Sequence, residues 1–179
     1  MKQIRNNVFE TNSSSTHSIC ISKAPVTIGK HIFFHIGEYG WEKACVNIAD
    51  YLYTAILEQN DSDELLNEFK SILDSHSIEY EFEKPIYSYS KDGTSKWLKY
   101  GYVDHSDETR EFIDAVLSDD DLLMRCLFGD SWVYTGNDNQ DDDPAGCDIA
   151  CDKYYDYYSG IMDNPYHDEE NYDYFYKGN

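Results

Sequence analysis

The sequence predicts a single α+β domain, mostly antiparallel sheet with three to four helices, and three observations predict it. Strand-like alternation and helix-like spacing come in separate blocks, without the regular strand-helix alternation of a parallel α/β fold. A short Gly-containing loop joins neighbouring strand-like runs, as a hairpin requires. The 179 residues, 41% hydrophobic and 16% aromatic, suffice for one core and give no reason for a second. A chain this rich in aromatics is expected to fold, because disordered chains are poor in them.

The elements follow in order. "HSICISK" alternates Ile19 and Ile21 with polar neighbours, the period of a half-buried strand. "KHIFFHIGEYG" predicts a second strand ended by Gly37 and Gly40. "WEKACVNIADYLYTAILEQ" spaces Ala44, Ile48, Leu52, Ala55 and Ile56 along one face of a helix. A second helix covers 62–75, with Asp63 and Glu64 in its first turn and Leu65, Leu66, Phe69, Ile72 and Leu73 on its apolar face. "IEYEFEKPIYSYS" and "KWLKYGYVDH" alternate around "KDGTS", which predicts a hairpin. Asp107 and Glu108 favour the first turn of a helix through "SDETREFIDAVLSD", whose buried stripe is Phe112, Ile113, Val116 and Leu117. "DDLLMRCLFG" is a short helix stopped at Gly129, and "SWVYTGNDNQ" is a strand that runs into a turn.

Charge narrows the partners. Fourteen Lys and Arg against 35 Asp and Glu give a net charge of -21, a field that repels phosphate backbones and attracts basic surfaces. Strong binding to free nucleic acid is therefore not expected unless a local basic patch or a protein carrier supplies attraction. The imbalance deepens in the C-terminal segment 141–179, with 11 acids, two lysines and eight of the 17 tyrosines. A solvated face with Tyr rings packed on the core is one meaning of that segment; a protein-binding surface that enters Lys/Arg grooves is the other.

Five cysteines without a CxxC pair indicate neither a disulfide framework nor a zinc ribbon. Reduced thiols in a cytoplasmic protein are the simplest expectation. No apolar run is long enough to span a bilayer, and no cofactor motif is present.

Two stretches hold chemistry-bearing residues. In "ETNSSSTHS", Glu10 and His17 are a possible acid/base pair, with Asn12, Ser13, Ser14, Ser15 and Thr16 offering hydroxyls, an amide and turn N–H groups that suit an anion. Arg5 and Lys2 are the nearby positive charges. Metal-free cleavage of an RNA phosphodiester needs a base, an acid and donors to the phosphoryl oxygens, all of which the stretch contains. Equally, such serines cap turns or form linkers. In "GDSWVYTGNDNQDDD", Asp130, Asn137, Asp138 and Asn139 gather at a strand end, a pattern shared by functional loops and ordinary Asn-rich turns. An EF-hand fails there because Asp143 stands where a Gly is needed. His31 and His35, four apart on a strand, are about 13 Å apart and too far for one metal.

The opening "IRNNVFETNSSSTHSICI" resembles the N-termini of small proteins from phages and mobile elements of Gram-positive bacteria, which begin R-x-N-x-F-E-T-N-S-S-S-x-H-S. That pattern falls on Arg5, Asn7, Phe9, Glu10, Thr11, Asn12, Ser13, Ser14, Ser15, His17 and Ser18, within the N-terminal stretch alone. Some of those proteins look like anti-CRISPR proteins against type II-A Cas9. The resemblance implies a cytoplasmic inhibitor, acting in the bacterial host, that binds Cas9 and cleaves the guide RNA Cas9 presents, without metal or cofactor. His17, Glu10 and Ser13 would be catalytic, and Arg5, Asn12, Ser14, Ser15, Asn137 and Asp138 would hold the phosphate. The alternative is a non-enzymatic inhibitor whose acidic surface mimics nucleic acid and blocks guide or DNA binding. A third possibility is a phage enzyme acting on another phosphorylated substrate.

Overall fold

The alternating stretch after the serines forms strand β1 (Ser15–Ser22). A computed structural model describes residues 15–42, 44–137, 155–156, 161–162 and 170–177. The strand expected over "HIFFHIGEY" divides into β2 (His31–Phe34) and β3 (Glu38–Tyr39). Between them the N–H groups of His35, Ile36 and Gly37 donate to the side chains of Asp50, Glu83 and Thr54. Side-chain acceptors thus take the place of a ladder, and the strand breaks.

The long helix expected from residue 41 begins later. Residues Ala44–Asn47 are a strand, β4, and helix α1 (Ile48–Glu58) starts where the Asn47 side chain accepts from the N–H groups of Ala49 and Asp50 at 2.9 and 3.2 Å. An asparagine in this position satisfies two of the donors that a helix start leaves open. Nine of the eleven residues of α1 are buried, which makes it the central helix, covered on nearly every side.

Helix α2 (Ser62–Ser75) has the expected bounds and buries Leu65, Phe69 and Leu73. Next come β5 (Glu79–Phe82), β6 (Tyr87–Tyr89), β7 (Lys96–Leu98) and β8 (Tyr102–Val103). The hairpin around "KDGTS" consists of β6 and β7 alone, because β5 pairs in parallel with β2 instead. β3 and β8 also pair in parallel, held close by Gly101. Its φ of +93° suits glycine, and a Cβ there would meet the Gly37 carbonyl oxygen at 2.8 Å.

A 3₁₀ turn (Ser106–Thr109) leads into α3 (Arg110–Ser118), which buries the expected stripe of Phe112, Ile113, Val116 and Leu117. α4 (Asp120–Phe128) ends at Gly129, and β9 (Trp132–Asn137) follows. The short pair β10 (Tyr155–Asp156) and β11 (Ile161–Met162) precedes β12 (Tyr172–Lys177).

The main sheet is antiparallel, in the order β12-β1-β9-β4. One face, through Ile19, Ile21 and Val133, packs on α1 and the other helices in a continuous core that includes Phe34, Tyr51, Phe69 and Phe112. Its other face gathers Cys20 and Tyr134 with Trp132, Tyr172 and Tyr174. The end of the acidic segment is therefore a sheet strand. Arg125 fastens it, donating to Asp173 at 2.9 Å and to the Ser22 carbonyl at 3.0 Å.

Candidate functional site

Residues i and i+2 of a strand share a face, so His17 points with Ile19 and Ile21 toward the core. It is 0% exposed. Its Nε2 lies 2.9 Å from the Gly40 carbonyl oxygen, which can only accept, so Nε2 holds a proton and donates it. Nδ1 lies 2.8 Å from the Tyr51 hydroxyl. Burial, reinforced by Tyr39, Glu58 and Glu108, pushes the Tyr51 hydroxyl well above its ordinary range. It stays protonated and shares a hydrogen bond with His17 Nδ1, and the two rings meet edge to face at 5.5 Å. His17 thereby ties β1 to α1 and to the segment between β3 and β4. A general acid or base needs a ring nitrogen turned to substrate, and both nitrogens of His17 are bonded within the fold.

Arg5, Glu10, Asn12, Ser13, Ser14 and Asp138 lie outside the described residues. Ser15 and Asn137 do lie within them and stand opposite each other in the β1–β9 register. The two stretches singled out separately in the sequence thus meet at one end of the central strand pair. Ser15 is buried, and Ser14 and Asp138 are the next residues in the chain. Two positions further along, Thr135 stands opposite His17 and donates to the Glu42 carbonyl at 2.5 Å. Asp130 accepts from the Trp132 indole at 2.9 Å.

His31 bonds Glu81 at 3.2 Å, and His35 sits 3.8 Å from Glu83. Among the described residues, no group of three His, Cys, Asp or Glu is placed to hold a metal ion. Burial raises the Cys20 and Cys126 thiols, the reverse of what a nucleophile needs. No helix among the described residues is long and apolar enough to cross a membrane.

One site had no forewarning in the sequence. A cavity of about 390 Å³ opens between the C-terminal end of α1 and the β6–β7 hairpin, lined by Glu58, Asn60, Tyr87, Thr94, Lys96 and Ser106 among others. Glu58 accepts the Val103 N–H at 2.6 Å. Burial, with the carboxylates of Asp104 and Asp107 adding to it, lifts Glu58 to about 7 despite that hydrogen bond. A carboxyl group near neutrality at the edge of a polar cavity can both donate and accept a proton. Its only sequence signal was a helical position at the end of α1; the Val103 partner and the neighbouring acids come from distant chain segments.

No family model matches the chain, and searches of curated proteins and of solved structures likewise find no match.

Proposed function

We propose that this chain is an anti-CRISPR protein that inhibits type II Cas9 by binding it. Its carboxylate-rich surface would occupy a basic channel that otherwise holds guide or target nucleic acid. The observation that carries this reading is the disposition of charge. The chain has a net charge of -21, and Asp63, Glu64 and Glu68 on α2, Glu111 and Asp114 on α3, and Asp121 on α4 are all exposed. The resemblance of the N-terminal motif supports Cas9 as the partner. The placement of His17 in the core, with both ring nitrogens bonded, favours binding over catalysis.

A second reading, Cas9-assisted cleavage of the guide RNA, draws support from the opposition of Ser15 and Asn137 at one sheet end. In that reading Cas9 supplies the basic surface that brings RNA to the site.

Complex formation tests the binding reading. Mixed with Cas9, the protein is expected to co-elute from a sizing column and to dissociate as salt is raised. The triple variant Asp168→Lys/Glu169→Lys/Glu170→Lys should weaken the complex. Asp173 is left intact because Arg125 and Lys23 hold it. No complex with wild type at low salt would contradict the reading.

A further inference from the structure

We propose that the β6–β7 hairpin is a docking site for single-stranded nucleic acid, a basic and aromatic element set into an otherwise acidic protein. Residues 84–100 hold Lys84, Lys91, Lys96 and Lys99 against a single acid, Asp92, for a local charge of +3 in a chain of net -21. None of the four lysines forms an ion pair among the described residues. Instead, Lys96 Nζ sits 4.7 Å from the centre of the Tyr87 ring and Lys99 Nζ 5.1 Å from that of Tyr100. The one acid is already engaged: Asp92 accepts from the Ser90 and Thr94 hydroxyls, which lowers it to about 2. It serves the turn, whose Gly93 has a φ of +72°.

Register decides which side chains face outward. Directly opposed residues of an antiparallel pair share a face. Tyr87 opposes Leu98, which is buried, so that pair faces the body of the protein; Tyr89 and Lys96, on the same side nearer the turn, extend past it and are exposed. Ser88 opposes Trp97 on the outer face. The Lys99 N–H continues that register to the Ile86 carbonyl at 2.8 Å. The outer face thus presents Ile86, Trp97 and Lys99; Glu38 and Glu83 line a recess at its edge together with Lys84, Ile86 and Tyr100. Of eight large apolar side chains exposed in the described residues, four lie in this one segment: Ile86 at 54%, Tyr89 at 64%, Trp97 at 50% and Tyr100 at 59%. Ile86 and Trp97 lie on the outer face and Tyr89 on the other, so the hairpin exposes apolar rings on both sides, as a contact element does.

Its chemistry selects the occupant. Stacking on exposed rings together with neutralisation of phosphates by lysines is how single strands are held without sequence preference. A peptide of acidic residues alone would satisfy the lysines but offer nothing to stack on the rings. A membrane surface is an extended plane that would meet the acidic body as well as the hairpin. A flexible strand of about four nucleotides is short enough to follow the hairpin, although Glu58 lines the cavity that Lys96 and Trp97 border. The field of the whole protein opposes tight binding, so affinity for a free strand is modest, with Kd about 10–100 µM. This site stands independently of the Cas9 reading, since it needs no partner protein.

The test uses the full chain with labelled single-stranded RNA and DNA of about 12 bases, the corresponding duplex, phosphatidylserine vesicles and polyglutamate. Both single strands are expected to bind, and the duplex more weakly. Trp97→Ala should lower affinity about tenfold. Lys91→Ala/Lys96→Ala/Lys99→Ala should remove most of the binding together with its salt dependence. All substituted side chains are exposed, so each variant should melt as wild type does. No binding by wild type up to about 1 mM, well beyond the ordinary non-specific range, would overturn the proposal. So would equal binding by the variants, or tighter binding to the vesicles or polyglutamate than to the strands.

Discussion

The centre of the main sheet and the β6–β7 hairpin use similar side chains in opposite ways. At the sheet centre, His17, Tyr51 and Thr135 are buried and bond one another or backbone carbonyls. On the hairpin, Tyr89, Trp97 and Tyr100 are exposed, and Lys96 and Lys99 rest on rings rather than carboxylates. Residue type nominates both regions for chemistry. What separates them is whether the polar groups are already satisfied inside the fold, and that depends on strand register and face. A histidine that has found its partners stabilises the fold, whereas a tryptophan left in water is available to something else.

The sharpest way to break the comparison is at His17. His17→Ala removes a fully buried ring and strands the Tyr51 hydroxyl and the Gly40 carbonyl, at a cost of about 3–5 kcal/mol. Denaturant unfolding measures this. A variant as stable as wild type would mean that the ring is not the tie described.

Glu58 sits between the two regions and should give an intermediate effect that depends on pH. Its folded value of about 7 lies above its ordinary 4.5. Below pH 4.5 both folded and unfolded states are protonated and nothing is lost. As pH rises through 7 the unfolded chain has ionised first, and the native state loses stability. Glu58→Gln keeps an acceptor for the Val103 N–H and cannot ionise. Its advantage over wild type should grow between pH 4.5 and 8 to about 1–2 kcal/mol, allowing for the part of the side chain open to water. Melting curves that shift in parallel across this range would refute the assignment.

The smallest effect on stability is expected at the hairpin. Trp97→Ala should change stability by no more than about 0.5 kcal/mol while it weakens strand binding. A large loss of stability there would return Trp97 to the core side of the comparison.

Much of this was legible in the chain, and the exceptions have physical causes. α2 could be bounded to the residue because its apolar spacing is uninterrupted and no distant strand competes for it. The start of α1 could not. Ala44 fits the helical spacing, but pairing with β9 and the Asn47 cap claim the residues before Ile48. Parallel pairing of β2 with β5 crosses two helices, so local pattern gave no sign of it. At the candidate site, the alternation of His17 with Ile19 and Ile21 already places the ring on the core face. Its partners, Tyr51 and Gly40, could come only from the fold. The lysine surplus of 84–100 stands in the sequence, but the outward face became visible only with the Ser88–Trp97 register.

We propose that this protein acts on Cas9 by occupying it, with His17 held in the fold. A denaturing gel of guide RNA incubated with Cas9 and the protein, with and without EDTA, tests it most directly. Cas9 activity should be lost while the guide RNA stays full length, and Glu10→Gln and Ser13→Ala should inhibit as wild type does. Discrete shorter RNA that disappears in Glu10→Gln would contradict the claim and establish the ribonuclease reading in its place.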